Sequence, residues 1–239
     1  MTELVFRDRP YARDCEATVT RVAGSAIELD RTVFYPMGGG QPGDTGRLLF
    51  AGGSVAIADT RKGDAPGTIL HIAAAGAAPP SPGTAVAAEI DWQRRHRIMR
   101  VHTCLHLLSA LLPYPVTGGQ VGDGRGRLDF DIPEAILDKA TLTERLNALI
   151  AAGAAVTPEW ITDAELAAQP DLVKTRAVAP PTGAGRVRLI RIEGHDLQPC
   201  GGTHLADIGE IGPVVVAKIE KKGRRNRRVA VALAEAAGP

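Results

Sequence analysis

The chain has 239 residues, of which 44% are hydrophobic and 23% charged, and its net charge at pH 7 is +1. It has no run of eighteen apolar residues, and residues 1–14 carry too many charges for a secretory signal, which excludes a membrane-spanning helix and export by that route. Three cysteines, odd in number and far apart, give no disulfide framework. The sequence therefore predicts a soluble, cytoplasmic protein with no membrane partner.

The first part of the chain is predicted to form a small antiparallel β-barrel. Short stretches with alternating apolar residues and frequent glycines occupy residues 16–30, 45–62 and 67–74. Residues 73–84 are rich in alanine, proline and glycine and are the best candidate for a linker. We therefore predict a boundary near residue 85, with a barrel domain in residues 1–85 and a second domain in residues 86–239.

A glycine-rich segment, FYPMGGGQPGDTG in residues 34–46, interrupts the predicted strands. Three consecutive glycines are not expected inside an ordinary strand. One interpretation is a barrel corner or a hairpin loop. The other is a loop whose peptide N–H groups approach a ligand closely. The segment is not a nucleotide-binding P-loop, because no Gly-Lys-Ser/Thr sequence follows it.

The second part is predicted to be α+β, with helices packed on an antiparallel sheet. After a strand, Asp91 can cap a long helix that continues to about Leu112 and stops at Pro113. A second amphipathic helix is predicted in residues 138–153, where it ends on a glycine. Further segments with strand character occupy residues 126–132, 154–162, 186–194, 212–222 and 226–234.

Two pairs of metal-type side chains stand almost one hundred residues apart. His102 and His106 are spaced i,i+4 in an apolar run that predicts a helix, so both imidazoles leave the same helix face. Cys200 and His204 flank a Gly-Gly turn that can bring a thiolate and an imidazole together. Each pair alone is unspecific, but three nitrogens and one sulfur suit zinc, and these residues are four of the nine Cys and His in the chain.

The cysteines also allow other readings. Cys200 could be a covalent nucleophile, although a thiolate that holds an ion is less free to attack. Cys104 lies between the two helix histidines and points elsewhere, so we predict that it is a small core residue. The motif is not that of a zinc protease, because Thr103 occupies the glutamate position of His-Glu-x-x-His.

Positive charge is concentrated in two short segments. Residues 218–228 carry a net charge of +6 and residues 94–100 carry +4. Such clusters suit a polyphosphate partner, although a solvated charged turn would have the same composition. The candidates for tRNA contact are Arg94, Arg95, Lys221, Lys222, Arg224, Arg225, Arg227 and Arg228.

Three of these segments together resemble one family. HTCLHLLSALL, PCGGTH followed by GEIGP, and FYPMGGGQPGDTG have the residues, order and approximate spacing of the editing module of alanyl-tRNA synthetase. The chain is more specifically similar to the free-standing alanyl-tRNA editing proteins of the AlaX type, over residues 29–231. No class II synthetase core precedes the matching region, which implies an ATP-independent deacylase without the synthetase. One departure is Val101, where synthetase editing domains often carry asparagine.

The resemblance implies a trans-editing hydrolase that removes serine, and in some members glycine, from mischarged tRNA for alanine. It implies a Zn2+ ion at a catalytic centre formed by His102, His106, Cys200 and His204. It also implies that the aminoacyl pocket is lined by the glycine motif, and the candidates for substrate contact are Thr32, Gly38, Gly39, Gly40 and Gln41. Among these, Thr32 is the candidate to meet the serine hydroxyl.

Other functions stay open beside this one. Editing domains of threonyl-tRNA synthetase share the histidine and cysteine pattern, so the same chemistry could act on another tRNA. A zinc-containing tRNA-binding module without turnover is the third possibility. Four protein ligands leave no tetrahedral position for an activated water, so we expect zinc to organise the substrate. His195 could relay protons or form ordinary loop hydrogen bonds, and Asp196 could orient a ligand histidine.

Overall fold

A computed structural model describes residues 2–132, 137–175 and 185–236. Its contacts divide the chain into two compact units, residues 1–96 and 97–239. The predicted boundary near residue 85 lies where the last strand of the first unit begins. The division between the units lies further along the chain, inside the long helix that begins at Trp92.

The first unit is built mainly of strands. Its elements are β1 (Glu3–Leu4), α1 (Val5–Asp8), β2 (Asp14–Ala23), β3 (Ala26–Leu29), β4 (Arg31–Thr32), β5 (Gly46–Phe50), β6 (Gly53–Lys62), β7 (Ile69–Ala73) and β8 (Ala85–Ile90). Six of these strands close into an antiparallel barrel in the order β2-β3-β7-β6-β5-β8. The short strands β1 and β4 pair in parallel beside it. The predicted antiparallel barrel is confirmed.

The barrel interior is filled by alternate residues of its strands. Val19 in β2, Ile27 in β3, Leu48 in β5 and Ile57 in β6 are almost completely buried. Because successive strand residues point to opposite faces, the intervening positions lie outside, where polar residues are tolerated. The alternation in the sequence therefore corresponds to an inner apolar face and an outer solvated face.

One polar pair is buried in the first unit. His71 Nδ1 lies 3.0 Å from the Ile27 carbonyl oxygen, and since a carbonyl only accepts, Nδ1 carries the proton. His71 Nε2 then accepts from the Thr32 hydroxyl at 2.7 Å, and the Thr32 oxygen accepts the Phe34 N–H at 3.0 Å. Burial lowers the pKa of His71 to about 4, so the ring is neutral at pH 7.

The glycine-rich segment contains a tight turn. Gly38 and Gln41 exchange both of their backbone hydrogen bonds at 3.0 Å. Gly39 and Gly40, between them, have φ angles of +59° and +82°, a region that residues with a Cβ atom rarely adopt. This geometry agrees with the hairpin interpretation and explains why glycine is needed at both central positions, which are exposed.

A buried ion pair follows the glycine turn. The side chains of Arg95 and Asp44 are 0% and 2% exposed. Arg95 Nε lies 3.0 Å from both carboxylate oxygens, and Nη2 donates to Asp44 and, at 2.8 Å, to the Val33 carbonyl. Asp44 also accepts the Tyr35 N–H at 2.6 Å. Removing either charge would leave the other buried without its partner, which typically costs about 3–5 kcal/mol.

A helix of 20 residues, α2 (Trp92–Leu111), follows β8. The Asp91 carboxylate accepts the Arg94 N–H at 3.0 Å, and the helix ends before Pro113, so the predicted cap and stop are confirmed. Within the described part of the chain, no helix has the length and apolar character needed to cross a membrane.

The second unit contains two antiparallel sheets. Its further elements are β9 (Val116–Val121), β10 (Arg125–Asp131), α3 (Lys139–Ala152), β11 (Val156–Thr162), α4 (Asp163–Ala167), β12 (Arg186–Ile192), β13 (Asp196–Pro199), β14 (Val214–Lys221) and β15 (Asn226–Leu233), with single 3-10 turns at Pro170–Leu172, Ile208–Ile211 and Ala234–Ala236. One sheet has the order β14-β15-β10-β9 and the other the order β11-β12-β13. The α+β prediction is confirmed.

The second predicted helix is α3. The Asp138 side chain accepts the Thr141 N–H at 2.7 Å, and Gly153 ends the helix with a φ of +69°. Sequence patterns did not predict β9 or β13. The strand β9 contains two consecutive glycines, and β13 is four residues long and ends on Pro199, so neither has a strong strand pattern.

Candidate metal centre

Helix α2 supplies two of the four predicted ligands. The helix is apolar around them, and Ile98, Leu105 and Leu108 are almost completely buried. His102 and His106 lie one helical turn apart, with their ring centroids separated by 5.5 Å. Both side chains are buried, at 7% and 6% exposed, so the i,i+4 pair is not a surface pair.

The other two ligands follow the three-stranded sheet. Cys200 comes directly after β13, and its N–H donates to the Arg188 carbonyl at 3.1 Å. Arg188 Nη1 in turn donates to the carbonyls of Cys200 and Gly202 at 3.0 and 2.9 Å. Arg188 is itself buried. These bonds fix the Gly-Gly turn against β12, so that His204 returns to Cys200.

The four side chains converge on one point. Cys200 Sγ lies 3.5 Å from His102 Nε2 and 3.2 Å from His204 Nε2. One possible ligand atom from each of His102, His106, Cys200 and His204 lies within 4.8 Å of the other three. Around a tetrahedral zinc ion, with Zn–S of about 2.3 Å and Zn–N of about 2.0–2.1 Å, ligand atoms stand roughly 3.4–3.6 Å apart. The cluster therefore has the size and the donor atoms that zinc requires.

The protonation of the cluster also suits a cation. Burial acts to raise the pKa of Cys200, but the charges of His102 and His204 outweigh it and hold the pKa well below its usual range. Burial, together with His102, lowers the pKa of His204 to about 3. A thiolate and a neutral imidazole are the forms that bind zinc.

His106 is the ligand from which a metal ion must displace a proton. Burial acts to lower its pKa, but hydrogen bonds to Asp196 and Cys200 raise the pKa to about 9. Cys104 on the same helix has the opposite character to Cys200, because burial raises its pKa to about 12 and keeps the thiol neutral. The prediction that Cys104 is a core residue agrees with its complete burial.

Two side chains behind the ligands orient their rings. His106 Nδ1 lies 2.9 Å from Asp196 Oδ2, which leaves Nε2 for the cluster. Burial acts to raise the pKa of Asp196, but contacts with His106 and two other donors lower it to about 2, so the carboxylate is ionised. Thr103 Oγ1 accepts the Leu205 N–H at 3.2 Å and lies 3.4 Å from His204 Nδ1. Asp196 thus has the orienting contact that was one of its two readings, whereas His195 is exposed at the turn before β13.

The predicted substrate residues all lie in the first unit. Thr32 and Gln41 are buried, and the Thr32 hydroxyl is bonded to His71. The three glycines surround the tight turn, where Gly39 and Gly40 are exposed. Their contact with a substrate stays a prediction.

One predicted tRNA contact needs correction. Arg95 is completely buried, and its guanidinium is used by Asp44 and by backbone carbonyls, so it is not available to a phosphate. Its neighbour Arg94 is half-buried and donates to the Gly43 carbonyl at 2.8 Å. The charge pattern in the sequence could not distinguish the arginine that turns inward.

The remaining six basic candidates lie on the hairpin of β14 and β15. Arg225 and Arg228 pair with Asp131 and Asp129 at 2.9 and 2.7 Å. In the described part of the chain, no acidic side chain pairs with Lys221 or Arg224. Residues 218–228 have seven positive side chains against three acidic ones, Glu220, Asp129 and Asp131, which leaves +4. The hairpin therefore stays basic after its ion pairs are counted.

Comparison with known proteins follows the same two parts of the chain. The family model described as threonyl and alanyl tRNA synthetase second additional domain matches residues 187–230. The model described as tRNA synthetases class II (A) matches residues 9–94. The alanyl-tRNA editing protein AlaX-M of Methanosarcina mazei is 34% identical over 247 residues, which cover 99% of this chain and 98% of that protein.

The chain belongs to the AlaX family of alanyl-tRNA editing proteins. AlaX-M of Saccharolobus solfataricus is 33% identical, over 96% of this chain and 98% of its own length. The alanine–tRNA ligase of Pyrococcus abyssi is 34% identical over 99% of this chain but only 26% of the ligase. The resemblance found in the sequence motifs is thereby confirmed, and AlaX proteins correspond to about a quarter of that ligase.

Several residues of the AlaX cluster could not be found from the sequence. Arg188 and Gln198 carry no motif, and Lys174 lies in an ordinary polar stretch. Their roles depend on contacts with residues far apart in the chain, and spacing rules describe only neighbours. Asp196 and Thr103 gave a weak signal, since both lie within a few residues of a predicted ligand.

We expect the purified chain to bind about one zinc ion per molecule, because the four donors fit one tetrahedral ion. Metal content after gel filtration, measured by elemental analysis, should fall to near zero in Cys200→Ala. The matched control is Cys104→Ala, which removes a thiol from between the histidines without removing a ligand and should retain the ion. Equal metal content in the Cys200→Ala variant and the wild type would contradict this centre.

Proposed function

We propose that this AlaX protein is an aminoacyl-tRNA deacylase that removes serine, and as a second substrate glycine, from tRNA for alanine. The observation that carries the proposal is the buried His-His-Cys-His cluster in a chain that matches an alanyl-tRNA editing protein along 99% of its length. An isolated cluster would support only metal binding, and the family match alone would not show an intact site. Both are present here.

We propose that the four clustered residues hold a zinc ion. When bound, zinc supplies an electrophilic centre that can orient the amino group or the ester of an aminoacyl adenosine. The protein's own side chains do the rest of the organisation. Asp196 and Thr103 hold two imidazoles in place, and Arg188 fixes the turn that presents Cys200. This preorganisation is what a weakly activated hydrolytic site requires.

A deacylation assay tests the function directly. With tRNA for alanine charged separately with serine, glycine and alanine, we expect rapid release of serine, slower release of glycine and almost none of alanine. Cys200→Ala should abolish release on all three, because it removes a ligand of the centre. Preferential hydrolysis of serine from tRNA for threonine would favour the threonyl-type alternative. Binding of charged tRNA without release of any amino acid would favour the non-catalytic module.

Rejecting alanine requires a partner for a hydroxyl that alanine lacks. A buried group that is satisfied only by that hydroxyl discriminates strongly, because the wrong substrate leaves it unpaired. The Thr32 hydroxyl donates to His71 and accepts from Phe34, so its oxygen has one lone pair left. That lone pair can only accept, which is the role that a serine O–H needs. Thr32 is also part of the buried support of the first unit, so its test has to separate the two roles.

We expect Thr32→Val to lower kcat/KM on serine-charged tRNA by about tenfold more than on glycine-charged tRNA, since one hydrogen bond of about 1–3 kcal/mol is lost only for serine. Thr32→Ser, which keeps the hydroxyl, is the matched control and should retain the preference. Urea unfolding of both variants measures the structural cost of leaving His71 without its donor. An equal loss on both substrates would remove Thr32 from hydroxyl recognition.

We propose that the basic hairpin holds the tRNA. Replacing Lys221, Lys222 and Arg224 together by glutamine should weaken tRNA binding and reduce its salt dependence by about one logarithmic unit per lost phosphate contact. The matched control replaces Arg21, Arg31 and Arg47 on the barrel, which changes the charge equally. Zinc content should be unchanged in both. Unaltered tRNA affinity in the hairpin variant would show that the tRNA lies elsewhere.

A further inference from the structure

Lys174 reaches the back of the metal centre from a segment that contains no ligand. Its carbonyl accepts the Val116 N–H at 3.0 Å, and the next residue, Thr175, forms a parallel bridge with Val116. Its N–H donates to the Leu172 carbonyl at 3.2 Å. The main chain of Lys174 is therefore fixed at the start of β9, by bonds that do not involve the cluster.

The side chain of Lys174 ends on the carboxylate that orients His106. Its ammonium contacts Asp196 Oδ1. The other oxygen, Oδ2, accepts from His106 Nδ1 at 2.9 Å and from Gln198 Nε2 at 2.6 Å. The Asp196 side chain is completely buried, whereas that of Lys174 is 30% exposed. Each carboxylate oxygen thus has its own donors, and Lys174 is the one on Oδ1.

Gln198 connects the same carboxylate back to the helix. Its Nε2 also lies 3.0 Å from Ser109 Oγ, and the Ser109 hydroxyl donates to the His106 carbonyl at 2.8 Å. Both sides of this network therefore end on His106, one at its ring and one at its main chain. Lys174 is the member of the network that carries a positive charge.

The carboxylate has little to hold it apart from these donors. Rotation about the terminal bond of an aspartate is broad, so its orientation depends on its hydrogen bonds. Without the ammonium, Oδ1 would be a buried anionic oxygen that has lost its charged partner. The carboxylate could then turn away from His106, and the imidazole would lose the contact that directs Nε2 to the cluster.

We infer that Lys174 is a positioning residue of the metal centre, which fixes the Asp196 carboxylate and through it the His106 ring. The inference rests on the zinc site of the proposed function. It assigns Lys174 no contact with substrate, in contrast to the basic residues of the hairpin. A partly exposed lysine near a nucleic-acid enzyme could instead bind a phosphate, and the experiment distinguishes the two.

Zinc affinity of the full chain, measured by competition with a chromophoric chelator, provides the readout. We expect Lys174→Met to weaken zinc binding by about tenfold, the lower end of the effect of losing an outer partner of a ligand histidine. The visible spectrum of the Co2+-substituted chain should change as well, because it reports the geometry of the ligands. Lys174→Arg keeps a donor and the charge, and should stay within about threefold of the wild type.

Two further variants make the result specific. Lys139→Met removes an equal charge from a lysine whose ammonium contacts only the Ala217 carbonyl among the printed bonds of the described residues, and it should leave zinc affinity unchanged. Asp196→Asn should weaken zinc binding by itself. Since Lys174 acts through this carboxylate, adding Lys174→Met to Asp196→Asn should have little further effect. Urea unfolding accompanies each variant, so a loss of folding is not read as a loss of affinity.

The outcomes separate the role of Lys174 from the metal centre itself. Equal zinc affinity and equal Co2+ spectra in the wild type and Lys174→Met would overturn the inference and leave the centre intact. A higher KM for charged tRNA with a reduced salt dependence, and no change in zinc binding, would make Lys174 a phosphate contact. Additive effects of Lys174→Met and Asp196→Asn would also overturn the proposed route. A wild-type chain that binds no zinc would instead overturn the zinc site on which the inference rests.

Discussion

The negative charge on Cys200 has to be matched by positive charge within a largely dry space, and the second unit is arranged around that requirement. An anion removed from water is unfavourable unless it is paired. His102, His106 and His204 provide the pairing through nitrogen atoms, and the apolar side of α2 keeps water away from them. In the absence of an ion, a proton on His106 balances the thiolate, and a divalent cation can take that place. Protonation and metal binding are therefore alternatives at a single position.

Buried charges occur in this chain only in sets that compensate each other, as far as the described residues show. Asp44 is matched by Arg95 in the first unit, and Asp196 is matched by Lys174 and His106 in the second. The basic hairpin is different, because its ion pairs lie at the surface, where each stabilises little. Its charges are thus weakly committed to folding and remain available to a polyanion. The same residue types serve two purposes, and burial decides which.

The sequence predicted those features that depend on neighbouring residues. The caps of α2 and α3, the barrel alternation and the shared face of His102 and His106 all follow from local periodicity. That Cys200 and His204 meet the helix histidines came from ligand chemistry and from the resemblance to a family. Arg95 was assigned wrongly, because a cluster of four basic residues does not show which one turns inward. Lys174 and Arg188 were missed, since their partners lie 14 residues or more away in sequence or bind through the main chain.

The three thiols of the chain are chemically unequal. Burial raises the pKa of Cys15 and that of Cys104, so both remain protonated and unreactive, while the half-buried Cys200 is a thiolate. Alkylating reagents and peroxide attack thiolates, and a coordinated sulfur is shielded from them. Oxidation would therefore strike this chain at one atom, and only while that atom is uncoordinated. The metal-free form is the one exposed to oxidative inactivation, and a bound ion protects the sulfur that holds it.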